Sequence, residues 1–151
     1  MDEMYALIER LAVNEDKVME LYSVFGDKFQ EHREFWKGLS GEEKRHASLL
    51  REFGKMAEIT GLKPDLSHVK NEMVEDSIRF VCAEIKRARK GEIDCGESFK
   101  VASELEKGML ESGSFEAKNS DEKDLVKLFR SLNTDTSRHF EVLKNKCGNA
   151  V

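Results

Sequence analysis

Five side chains in this sequence have the types and spacing of a metal site: Glu15, Glu43, His46, Glu106 and His139. Glu43 and His46 stand at i and i+3, which projects both from one side of a helix. The pattern returns later in altered form. Laid over "LFRSLNTDTSRHFEVL" (128–143) at an offset of 93, the stretch "FWKGLSGEEKRHASLL" (35–50) pairs Leu39 with Leu132, Arg45 with Arg138, His46 with His139 and Leu50 with Leu143. The one mismatch with chemical weight is Glu43 against Thr136.

These residues interrupt apolar stripes. Glu15 falls within Ile8, Ala12, Met19 and Tyr22; Glu43 and His46 fall within Phe35, Leu39, Leu50 and Phe53; Glu106 lies between Ala102 and Met109; Thr136 and His139 lie between Leu132 and Leu143. A carboxylate buried without a partner costs several kcal/mol, so a cluster of them needs a reason, and a divalent metal supplies one. A carboxylate can bridge two cations, and a neutral imidazole suits iron, manganese or zinc.

The elements that must hold them follow from the 3.6-residue period. Residues 4–25 carry one stripe and Gly26 follows as an expected C-terminal cap. Asp27 is expected to cap a second helix whose stripe continues towards Ile59, with Gly61 and Pro64 closing it. From Asp65 or Ser67 to about Lys90, the positions Val74, Ile78, Val81 and Ile85 form a third amphipathic segment, which Gly91 ends. Asp94 with Glu97 makes a capping-box-like start for a helix through Phe99, Ala102, Leu105, Met109 and Leu110 to about Phe115. Asn119, Ser120 and Asp121 offer the cap for a last stripe, Leu125, Leu128, Phe129, Leu132, Val142 and Leu143. No strand signal appears.

The repeat groups these pieces into an all-α chain of two helical hairpins, 4–60 and 95–146, joined by a crossover over 61–94 that contains its own helix; this is a known four-helix-bundle topology. One domain is expected for 151 residues. In an antiparallel pair, residues at one height are equidistant from the turn. The midpoint of Glu15 and Glu43 is position 29, near the Gly26–Asp27 break, and that of Glu106 and Thr136 is 121, inside the expected cap. Each pair therefore faces across its own hairpin.

One Glu from each of two helices, plus Glu-x-x-His from each of the other two, is the di-iron pattern of the ferritin-like superfamily. This chain resembles that superfamily from about residue 5 to 146, and "AVNEDKVMELY" followed by "FWKGLSGEEKRHASLL" is most similar to its rubrerythrin-like branch. The resemblance implies Glu15, Glu43, His46, Glu106 and His139 as ligands. The sixth, a bridging glutamate, falls on Thr136, and Asp135 beside it sits about 100° around the helix and does not simply stand in.

Three glutamates leave one positive charge over when two divalent ions bind, to be met by hydroxide, oxide or another anion. The expectation is either an open, asymmetric dinuclear site or a single metal near Glu15, Glu43 and His46, with an open position for oxygen or peroxide. Tyr22, two turns from Glu15 on its stripe, is expected to hydrogen-bond a ligand, and Thr136 is placed with it as a supporting residue. The resemblance implies one or two iron ions, with manganese or zinc as other occupants, and oxidoreductase, peroxidase or ferroxidase-type activity. True rubrerythrins add an iron domain built on Cys-x-x-Cys pairs; this sequence has none, so a redox role implies an external electron donor protein. The alternative is a degenerate, non-catalytic bundle that acts as an interaction or dimerisation module.

Composition sets the remaining bounds. A net charge of −5 argues against a nucleic-acid binder, and the basic run "KRARK" (86–90) reads as a solvated helix face. No apolar run reaches the roughly 18 to 20 residues that span a bilayer, and "MDEMYALIER" lacks the features of a signal segment. The expectation is a cytoplasmic protein with no membrane partner, and a homo-oligomer with a dimer favoured. Cys82, Cys95 and Cys147, odd in number and far apart, read as reduced thiols. His32 and His68 read as solvated, and Trp36, Phe35 and the methionines as core.

Overall fold

A computed structural model describes residues 3–116 and 123–149. Among them are five α-helices and no strand: α1 (Glu3–Lys28), α2 (Arg33–Thr60), α3 (Asn71–Arg89), α4 (Cys95–Ser112) and α5 (Lys123–Asn149), with a single 3-10 turn at Gln30–His32 between the first two. The all-α expectation agrees with this. No helix among the described residues is long and apolar enough to cross a membrane.

Helix ends differ from the sequence reading for identifiable reasons. α1 runs through Gly26 to Lys28, so Gly26 is no cap. A Cβ there would sit 3.1 Å from Lys37 Cε and 3.3 Å from Trp36 Cβ, so the glycine lets α1 pass close to the start of α2. Asp27 does not cap α2 either; its Oδ1 accepts from Lys37 Nζ at 2.8 Å. The α2 stripe ends at buried Ala57, Ile59 is 78% exposed, and Gly61 closes the helix in the left-handed region at φ 73°.

α3 begins at Asn71 rather than near Asp65, because the Asp65 carboxylate accepts from Ser67 N (3.0 Å) in a local turn. Leu66 and Val69 enter the core from that turn. Asp94 caps α4 as expected, its Oδ1 accepting from Glu97 N at 2.8 Å. The Glu97 side chain, however, reaches Arg87 instead of closing a capping box. α4 stops at Ser112 with Gly113 at φ 67°, so Phe115 lies beyond it, buried against the Phe129 ring 5.6 Å away. The expected cap at Asn119 to Asp121 lies outside the described residues.

α1 packs along α2, and α4 along α5. The crossover helix α3 lies on α1, tied by Arg10 to Glu75, by Ser77 to Asn14 (2.8 Å) and by Arg89 to Glu20 (2.9 Å). The run at 86–90 is thus not simply solvated: Arg89 holds α1, and Arg87 pairs with Glu84 and Glu97. His32 is half-buried, edge-on to Phe99 at 4.9 Å, and His68 is half-buried too. The three cysteines are free.

The apolar interior falls into two clusters. One gathers Leu11, Ala12, Leu50, Phe53, Phe129 and Leu132; the other Val18, Tyr22, Trp36, Leu39, Phe99 and Leu143. In chain order Glu15 falls between Ala12 and Val18, Glu43 between Leu39 and Leu50, and His139 between Leu132 and Leu143. A polar layer divides the core.

Gly41 tests how far helix propensity operates here. It is exposed within α2, and a Cβ built on it meets nothing within 4 Å. Gly41→Ala should therefore raise stability by about 1 kcal/mol, read as a denaturation midpoint shifted at constant slope.

Candidate metal centre

All five expected ligands are fully buried, each 0% exposed, and the fold brings them together. α1 contributes Glu15, α2 contributes Glu43 and His46, α4 contributes Glu106 and α5 contributes His139. They form two triads, Glu15–Glu43–His46 and Glu43–Glu106–His139, each with one donor atom per residue lying within 4.8 Å of the other two. Glu43 belongs to both. His46 Nδ1 is 3.8 Å from Glu15 Oε1 and 3.5 Å from Glu43 Oε2; His139 Nδ1 is 3.1 Å from Glu43 Oε1 and 3.4 Å from Glu106 Oε1. The imidazole rings lie 6.0 Å apart and nearly parallel, at 22°. The second triad is as complete as the first, so the geometry gives no preference to a lone metal at Glu15, Glu43 and His46.

Thr136 is buried at the sixth position, and its hydroxyl donates to Leu132 O one turn back on its own helix at 2.8 Å. It makes no hydrogen bond to a ligand, contrary to the supporting role expected of it. Tyr22 does support the cluster, but across the bundle: its hydroxyl donates to Glu106 Oε1 at 2.7 Å rather than to its stripe neighbour Glu15.

A support that the sequence reading passed over stands outside the histidines. His46 Nε2 meets Asp135 Oδ2 at 2.9 Å, and His139 Nε2 lies 3.4 Å from Glu42 Oε1. Arg45 pairs with Asp135 at 2.7 Å, and Arg138 pairs with Glu42. Each hairpin thus supplies the carboxylate behind the other hairpin's histidine. The signal was in the repeat: the offset that aligns His46 with His139 also aligns Glu42 with Asp135 and Arg45 with Arg138. A hydrogen bond from His46 Nε2 to Asp135 leaves Nδ1, the nitrogen turned towards Glu15 and Glu43, as the atom that would bind a metal once its proton is displaced. Asp135→Asn should weaken metal binding 10- to 100-fold without unfolding the chain, measured by competition against a chromophoric chelator.

The electrostatics follow from burial and like charge. Burial, then Glu43, raises the Glu15 carboxyl well above its ordinary range. The same two causes push Glu106 up to about 7. Burial works against the charge of Glu43 as well, but His139 and His46 beside it hold its carboxyl low. Burial lowers the histidines, yet the carboxylates prevail: Glu106 and Glu43 push His139 up to about 10, and Glu43 with Asp135 raises His46. Protons would compete with a dication for this cluster.

Eight buried polar atoms of the cluster have no hydrogen-bond partner among the described residues: both oxygens of Glu15 and of Glu43, Glu106 Oε2, His46 Nδ1 and both nitrogens of His139. Leaving such atoms unpaired costs about 1–3 kcal/mol each. Hard carboxylate oxygens with one imidazole nitrogen per triad suit iron, manganese or zinc. These residues could hold a metal ion, and Glu43 is common to both triads. Comparison with family models, with curated proteins and with solved structures finds no match to this chain.

Proposed function

We propose that this chain is a ferritin-like, rubrerythrin-related iron protein whose dinuclear centre handles peroxide, oxygen or ferrous ions as an oxidoreductase. The observation that carries the reading is the pair of buried triads sharing Glu43, set in the layer that divides the apolar core. Iron bound there supplies redox capacity that the side chains lack. The chain's own part is to bind and orient. Glu15 and Glu106 each close one triad, Glu43 joins them, Asp135 holds His46 from behind, and Glu42 stands 3.4 Å behind His139. Three carboxylates against two dications leave one positive charge in a water-poor layer, which favours an anionic or polarisable small substrate. An external electron donor is the source of reducing equivalents in this reading.

The test is elemental analysis of protein purified without chelators and reloaded anaerobically with ferrous ion, followed by a peroxide-reduction assay. About two irons per chain with turnover is the expected result; a chain that stays metal-free overturns the reading. Thr136, with its hydroxyl held by Leu132 where a fourth carboxylate would stand, favours a second reading, a non-catalytic bundle serving as an interaction or dimerisation module. That reading falls if Glu43→Gln abolishes peroxide reduction while the fold persists.

A further inference from the structure

α3 packs on α1 but stands away from α4, and a cleft of about 320 Å³ opens between the three helices. Its floor is apolar: Leu11 of α1, Leu105 of α4 and Phe115 just beyond α4 are all buried. Along α3 the stripe Val74, Ile78, Val81 and Ile85 is buried, and Met73, Ser77 and Phe80 form the adjoining stripe at i, i+4 and i+7. Ile59, Met73 and Phe80 are the large apolar side chains left exposed among the described residues, and the last two line this cleft. Mostly apolar walls with a few polar groups, at this volume, are the make-up of a small-molecule site.

The polar groups narrow the ligand. Ser77 Oγ donates to Asn14 Oδ1 at 2.8 Å, Ser112 Oγ donates to Met109 O at 2.8 Å, and Ser114 Oγ meets Ser112 Oγ at 3.0 Å. The amide nitrogen of Asn14 is then a donor with no acceptor among the described residues, on a residue 6% exposed in the cleft wall. Leaving such a donor unpaired costs about 1–3 kcal/mol, so an acceptor atom in the cleft is favoured. The ionisable groups lining the cleft are Asp76 and Glu104, both carboxylates; Asp76 pairs with Arg79, which does not line it. An anionic ligand meets like charge there. An ammonium offers donors only and cannot accept from Asn14.

We propose that this cleft binds an uncharged small molecule with an apolar body and one carbonyl or hydroxyl oxygen, the oxygen accepting from Asn14 Nδ2 and the body lying along Phe80 and Met109. The site is separate from the metal cluster. Asn14 and Leu105 each precede a cluster glutamate by one residue, which turns them about 100° around their helices from Glu15 and Glu106. Binding is therefore independent of metal.

The probes are 1-octanol, octylamine and octanoate, which share an apolar chain and differ in head group, titrated into the full chain with its methionine methyls labelled for nuclear magnetic resonance. The methionines report position: Met73 and Met109 line the cleft, whereas Met4, Met19 and Met56 do not. 1-Octanol should shift the Met73 and Met109 signals saturably, with octylamine and octanoate each about tenfold weaker. Gly108 supplies the blocking variant, since it is exposed on α4 at the cleft and a Cβ built on it meets nothing within 4 Å. Gly108→Leu should keep or raise the denaturation midpoint, because leucine favours helix over glycine, and should lose the 1-octanol response. In Asn14→Leu the preference for 1-octanol over octylamine should fall about tenfold, a ratio that loosened packing does not produce. The proposal is overturned if 1-octanol leaves Met73 and Met109 unmoved, binds Gly108→Leu as well as wild type, or binds more weakly than either charged probe. A preference unchanged in Asn14→Leu overturns the contact to Asn14, and with it the ligand class.

Discussion

Glu43→Gln should remove both metal ions together, whereas Glu15→Gln and Glu106→Gln should each remove one. The difference comes from sharing. Glu43 Oε1 faces His139 at 3.1 Å and its Oε2 faces His46 at 3.5 Å, so this one carboxylate closes both triads. Iron per chain is expected to fall from about two to near zero in Glu43→Gln and to about one in each of the others. Equal losses for all three variants would show that Glu43 does not bridge.

The metal-free chains should rank differently. Glu43 is the anion held between two histidines, and breaking a buried pair by removing one partner costs about 3–5 kcal/mol. Burial, then the Glu43 carboxylate, raises the Glu15 pKa, so its neutralisation costs little. Chemical denaturation of the chelated variants separates the two cases.

The sequence made the ligand layer legible because polar residues within an apolar stripe stand out against a strong period. Glu15 between Ala12 and Val18, and Glu43 after Leu39, are conspicuous in that sense, and the antiparallel height rule brings them to one level without coordinates. Helix ends were less legible. Gly26 has the residue type of a cap and serves instead as a contact point, because the nearness of Trp36 and Lys37 is a tertiary fact. Asp27 and Asp65 have capping side chains, which Lys37 and Ser67 N engage instead.

The support behind the histidines was hidden for a related reason. Asp135 was set aside because it points about 100° away from the ligand direction. That same angle carries it around to the Nε2 side of His46, where it accepts a hydrogen bond. A residue excluded as a ligand by helical geometry is, by the same geometry, placed to hold one. Tyr22 shows a similar limit: its stripe identified the layer it would reach, but the partner, Glu106, lies on a different hairpin.

The metal-loaded and metal-free chains should respond to pH in opposite directions, and this is the most searching test of the cluster. In the metal-free chain Glu106 has its pKa pushed up to about 7 from 4.5, by burial and by Glu43. Between those values the folded chain binds more protons than the unfolded chain, so its stability falls as pH rises. His139, raised to about 10 from 6.5, stabilises fully below 6.5 and loses that contribution as pH climbs to about 10. Both groups therefore lower metal-free stability from mildly acidic to alkaline pH, by on the order of 3 kcal/mol or more. Metal binding needs the carboxylates ionised and the imidazoles neutral, so it displaces these protons and tightens as pH rises. A ligand at a hundredfold excess over its Kd adds about 2.7 kcal/mol, or roughly 5–10 °C in Tm for a chain of this size. The gap in Tm between loaded and chelated protein should widen steadily from about pH 5 to about pH 8. A gap that stays constant would mean that the metal binds elsewhere, at groups whose protons it does not displace.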